Sequence, residues 1–159
     1  MTTSAQRRGG APVGLLADLD AVSAASVIYL RMWCNGVRTQ ADVWNDLAGT
    51  LGPQRGRQAL HSFEQLCDLC ARHGRRPLVR HSLKCKCLGA DEACFANFIA
   101  TAVDGERDDT LLMATLLVRA DVAPVIASLA TEFGLALKQM NLAAPREAVE
   151  VRPPQSTLH

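Results

Sequence analysis

From Val13 to Met140 the apolar residues recur at three- and four-residue steps, and that rhythm breaks once, between Arg75 and Leu88. A 3.6-residue period marks amphipathic helices, each with one face that must be buried against a neighbour. The pattern therefore predicts an all-α, single-domain bundle of about six helices, with an irregular Cys/His-containing elbow between the third and fourth. Aromatic residues make up only 4% of the chain, which favours packed helices over a β-sandwich.

The first helix is expected from about Val13 to Trp33, carrying Leu15, Leu16, Leu19, Val22, Ser26, Tyr29, Leu30 and Trp33, and stopping at Asn35-Gly36. Thr39 and Asp42 resemble a capping box opening a second helix with Ala41, Trp44, Ala48 and Leu51 inward. Gly52-Pro53 ends it. The third spans about Gln54 to His73, with Ala59, Leu60, Phe63, Leu66, Cys67 and Cys70 inward and Gly74 as its C′ residue. Pro77 biases Arg76 away from helix, and Asp91 and Glu92 suit the start of the fourth, whose stripe is Phe95, Phe98, Ile99 and Ala102. A fifth runs from about Glu106 to Ala120 with Leu112, Met113, Leu116 and Leu117 inward. Asp121 caps a sixth, carrying Val122, Ile126, Leu129, Phe133, Leu137 and Met140. Residues 1–12 and 141–159 have no periodicity and read as disordered tails around a domain at 13–140.

The elbow concentrates the soft donors. His81, Cys85, Cys87 and Cys94 fall within fourteen residues, with Cys70 and His73 just upstream. Zinc takes thiolate and imidazole ligands tetrahedrally, so His81, Cys85, Cys87 and Cys94 form a candidate zinc set, with Cys70 and His73 in reserve. An iron–sulfur cluster is a lesser option. Free thiols and a redox disulfide compete with metal for the same residues, because Cys-x-Cys reaches one ion only where the backbone turns. Cys67 and Cys70 lie on an apolar stripe and read better as core. Cys34, beside a turn, reads as structural, and His61 as a surface histidine.

The spacing His81-x3-Cys85-x-Cys87 resembles a shortened form of the His-x3-Cys-x2-Cys signature of zinc-binding anti-sigma factors. It departs from that family in the single residue between the cysteines, which cannot place both thiols one helical turn apart, so the family's function is not carried over.

Charge is uneven. From Arg55 to Lys86 there are eight bases against two acids, and from Cys87 to Met140 three against eight. The run Arg72, Arg75, Arg76, Arg80, Lys84 and Lys86 is a candidate anion or nucleic-acid surface. A solvated or internally paired surface is the favoured alternative, since no aromatics interleave with it. The chain has no recognisable secretory signal, because Asp18 and Asp20 break the apolar stretch that follows Arg7 and Arg8. No run approaches the ~18 apolar residues of a membrane span. Six cysteines in that setting point to reduced thiols or metal ligands in a cytoplasm.

No Ser-centred elbow, Gly-rich phosphate loop or paired-carboxylate site is recognisable, so an enzyme is not indicated. The leading expectation is a small cytoplasmic regulatory or interaction protein with a zinc or thiol site at His81–Cys94 and a protein as its partner. A thiol-based redox sensor or enzyme using Cys85 and Cys87 is the alternative, and nucleic-acid or anion binding through Arg72–Lys86 a further one.

Overall fold

The computed structural model describes residues 8–143. A short strand β1 (Pro12–Leu15) and one 3-10 turn (Leu16–Asp18) lead into α1 (Ala21–Trp33), α2 (Val37–Leu51) and α3 (Pro53–His73). An irregular elbow then reaches β2 (Cys87–Gly89), followed by α4 (Ala90–Asp104), α5 (Arg107–Leu117) and α6 (Ala123–Ala143). Among the described residues the expected bundle of six helices is what forms. No helix among the described residues is long and apolar enough to cross a membrane.

Helix α6 lies at the centre and packs against each of the other five. Its inner face is Ala123, Ile126, Ala130, Phe133, Gly134 and Leu137, all buried. A side chain at Gly134 would collide with Val103 of α4, so glycine there sets how closely the two helices approach. The aromatic centre is Phe63, stacked on Phe133 with ring centroids 4.4 Å apart and met edge-on by Trp33 at 5.7 Å.

The first helix is shorter than expected. Asp20 accepts a hydrogen bond from the Ser23 N–H at 2.9 Å and so caps α1 at Ala21. Upstream of it the chain pairs antiparallel with β2, with Pro12 opposite Gly89, Gly14 opposite Leu88 and Leu15 opposite Cys87. Likewise α2 begins at Val37, ahead of Thr39, whose hydroxyl instead donates to the Met32 carbonyl at 2.5 Å. Gly74 does not end α3 in a left-handed turn. Its backbone is extended, and it bridges to Val118 where a Cβ would strike the Cys70 carbonyl. The inward face of α5 also differs: Thr110, Ala114 and Leu117 are buried, whereas Leu112 and Leu116 are 64% and 68% exposed.

Residues 8–12, expected as tail, pack against the elbow. The Ala90 N–H donates to the Ala11 carbonyl, and Gly9 sits against the Arg76–Asp91 pair, leaving no room for a side chain. Residues 1–7 and 144–159, with His159, lie outside the described residues.

Candidate functional site: the elbow

The elbow has little regular hydrogen bonding of its own, so side chains must hold it. Three do. Arg31, on α1, is buried with Glu92, their side chains 1% and 0% exposed. Its Nε and Nη2 donate to the two Glu92 oxygens at 2.6 and 2.8 Å, a bidentate fork. The remaining guanidinium donors reach the carbonyls of Ser82 (3.2 Å), Cys85 (2.7 Å) and Cys87 (2.8 Å). One arginine therefore gathers three elbow carbonyls.

Glu92 answers on the donor side. It accepts from the Gly89 N–H at 3.0 Å and from the His81 N–H at 3.2 Å. Burial pushes its carboxyl pKa up, but Arg31 and these two N–H donors outweigh that and hold it below the ordinary value. Asp91, one residue earlier, does the same for the elbow's first half, accepting from the Val79 N–H at 2.8 Å and from both ends of the Arg76 fork. The acids expected to serve helix-start electrostatics are therefore the anchors of the whole segment.

Between these anchors lies a tight turn, closed by the Cys85 N–H on the Ser82 carbonyl at 3.0 Å. It brings the His81 ring back onto its own chain, with Nδ1 3.3 Å from Cys85 Sγ and Nε2 2.8 Å from the Gly10 carbonyl. A carbonyl only accepts, so Nε2 carries a proton and Nδ1 is the atom that exchanges one with the thiol. The arrangement is a nucleophile, a base and a group that orients the base. The hydrogen bond from His81 is the main cause lowering the Cys85 pKa below its ordinary value, with the Cys87 N–H and thiol adding to it. The His81 pKa is raised in return, by Cys85 first and then by the Gly10 carbonyl. Both shifts favour a thiolate–imidazolium pair.

The other expected donors are elsewhere. Cys94 is exposed on α4, Cys70 is buried in the core, and His73 accepts from Arg119 at 3.2 Å. Among the described residues no group of three or more His, Cys, Asp or Glu side chains is placed to hold a metal ion. His81 and Cys85 meet, but the four-donor set of His81, Cys85, Cys87 and Cys94 is not gathered. His61 is on the surface, as expected.

The basic run is partly tied down. Arg72 pairs with Asp68 at 3.1 Å, Arg75 donates to the Thr115 carbonyl and Arg76 is held by Asp91. Arg80, Lys84 and Lys86 have no carboxylate partner among the described residues. The sequence offered no sign of Gly10 as the orienting group, and Arg31, inside an apolar run between Leu30 and Met32, was the unread signal of a buried cation. Comparison with known proteins finds no matching family, curated protein or solved structure.

Proposed function

We propose that the protein is a thiol-based redox sensor, with Cys85 as the reacting thiol and Cys87 as its resolving partner. The observation that carries this reading is the chain from the Gly10 carbonyl through His81 to Cys85, which favours the thiolate at one accessible cysteine. Lys84 and Lys86 flank it in sequence and are exposed. By contrast, burial pushes the thiols of Cys34 and Cys67 up, and that of Cys70 to about 12.

With hydrogen peroxide as oxidant, the Cys85 thiolate attacks one oxygen. An S–O bond forms and the O–O bond breaks, leaving the sulfenic acid, while the departing hydroxide takes the His81 Nδ1 proton and leaves as water. The Cys87 thiol then attacks the Cys85 sulfur. An S–S bond forms, the S–O bond breaks, and the second water carries away the thiol proton. Sulfur loses two electrons overall and peroxide gains them.

The carbonyls of Cys85 and Cys87 both rest on Arg31, so closing a disulfide across a single residue turns the peptide units that Arg31 holds. Oxidation is thereby read as a change in the elbow, which a protein partner recognises. The zinc reading of these residues is the weaker one, because among the described residues no group of three or more His, Cys, Asp or Glu side chains is placed to hold a metal ion.

Peroxide treatment followed by mass mapping tests the proposal. A Cys85–Cys87 disulfide in the wild type, and a sulfenic acid trapped on Cys85 in Cys87→Ser, are expected. Oxidation first at any other cysteine, or none at Cys85 with excess peroxide, overturns it.

A further inference from the structure

One side of α5 faces solvent with an apolar ridge. Thr110, Ala114 and Leu117 are buried, whereas Leu112 and Leu116, one turn apart on the opposite side, are 64% and 68% exposed. Among the described residues no other helix carries two leucines this exposed. We infer that this ridge is the contact through which two copies of the chain associate, α5 against α5 in antiparallel orientation.

The charges at the two ends of the ridge name the occupant. At the N-terminal end stand Glu106, Asp108 and Asp109, all exposed and in none of the ion pairs among the described residues. Asp108 and Asp109 flank the ridge one turn before Leu112, and Arg107 falls on the other side of the helix. At the C-terminal end stand two arginines, held there by the backbone bridge between Gly74 and Val118. The Arg75 N–H donates to the Leu117 carbonyl and its Nε to the Thr115 carbonyl, and the Arg119 N–H donates to the His73 carbonyl. Asp121 is the one carboxylate near them, 3.4 Å from Arg119 in an exposed pair that holds it weakly.

An acidic end, two leucines and a basic end make a surface complementary to itself. A parallel pairing would set acid on acid and base on base. An antiparallel pairing about a two-fold axis sets each acidic end on the other copy's basic end, which is the isologous contact of a symmetric dimer. One register serves both kinds of contact. Leu112 lies opposite Leu116 of the second copy when the axis passes at the level of Ala114, and that same level sets Asp109 opposite Arg119 of the second copy. Arg119 is two residues beyond the end of α5, a gap its long side chain spans.

Size sets the strength. The 11 residues of α5 are fewer than the ~20–30 residues a side of a standard interface. The association is therefore reversible, with a dissociation constant on the order of 100 µM.

Sedimentation equilibrium of the full-length protein from about 10 µM to about 1 mM tests the inference. A thiol reductant is present throughout, because Cys34 and Cys94 are exposed and disulfides between copies would mimic association. The average mass is expected to rise from one chain toward two. Leu112→Glu, at an exposed position, raises the dissociation constant about tenfold or more, while the melting temperature reports that the fold is intact. Asp109→Arg and Arg119→Glu each weaken association by setting like charges together, and an equimolar mixture of the two associates again, since each then meets its opposite. A mass of one chain at the highest concentration, an unchanged dissociation constant in Leu112→Glu, or a mixture as weak as its components each overturns the inference. None of these readouts depends on peroxide chemistry at Cys85.

Discussion

Arg31 and Glu92, 61 residues apart in sequence, form a buried bidentate ion pair on which both halves of the fold converge. One belongs to the helix that follows the N-terminal strand, the other to the first turn of the helix that follows the elbow. Around the pair, every donor and acceptor has a protein partner: three elbow carbonyls on the arginine, two elbow N–H groups on the glutamate. Two desolvated charges are not a cheap way to gain stability, and an apolar pair of similar shape often does as well. The pair's contribution here is positional. It satisfies an elbow that has no ladder of its own and thereby sets where His81 and Cys85 meet.

Removing one partner should therefore cost far more than a surface ion pair would. Arg31→Leu leaves Glu92 buried and unpaired and frees three carbonyls, with an expected loss of about 3–5 kcal/mol in urea unfolding. Arg31→Lys should recover little, because an ammonium cannot reproduce the planar fork. A loss below ~1 kcal/mol in Arg31→Leu would mean that the elbow is held by other contacts.

The same pair gives the fold an acid limb. Glu92 has a folded pKa below its unfolded value, so its carboxylate contributes stability that is present above the unfolded value and lost as pH falls through the folded one. Unfolding free energy should decline below about pH 4. Glu92→Gln, though less stable throughout, should show a shallower decline there. Equal slopes in the two proteins would assign the acid limb to other carboxylates.

At the thiol, the expected outcome is kinetic. The pH profile of iodoacetamide alkylation at Cys85, read by peptide mass, should inflect below the ordinary thiol value of 9.0, because His81 favours the thiolate. His81→Asn should move the inflection back up. Gly89→Ala is the subtler probe: its Cβ would stand 2.9 Å from His81 Cδ2 and Nε2, so the ring must shift off the Cys85 line. That variant should lose much of the inflection's shift while its helical circular dichroism is unchanged. An unshifted profile would separate the ring's position from the thiol's acidity.

How much of this was legible depended on whether the cause was local. Helices α3 and α4 were readable because Phe63, Leu66, Phe95, Phe98 and Ile99 recur at helical spacing and are buried where that spacing puts them. On α5 the same rule placed Leu117 and Met113 but failed for Leu112 and Leu116, since it selects large apolar residues. The close packing beside α6 wanted Ala114 and Thr110 and left Leu112 in solvent. The strand at Pro12–Leu15 was invisible because its partner lies more than seventy residues away and a two-stranded ribbon carries no local signature. The soft donors of the elbow can be named from the sequence, yet composition alone cannot say which ones a turn will bring together. His81 and Cys85 meet because Arg31, Glu92 and Gly10 arrange them, and none of those three is a soft donor.

Tyr29 offers a measurement of how tightly α1 and α2 dock. It is the chain's one tyrosine, so an ultraviolet titration reads it alone. Burial first, and then the neighbouring Asp46 carboxylate, to which its hydroxyl donates at 3.4 Å, push its pKa to about 12. Near pH 11 an unperturbed phenol is roughly nine-tenths ionised, whereas Tyr29 should be about one-tenth ionised. Asp46→Asn should lower the midpoint only part of the way, because the larger cause, burial by the packed helices, remains. A midpoint near 10 in the folded wild type would mean that water reaches the hydroxyl and that the helices part there.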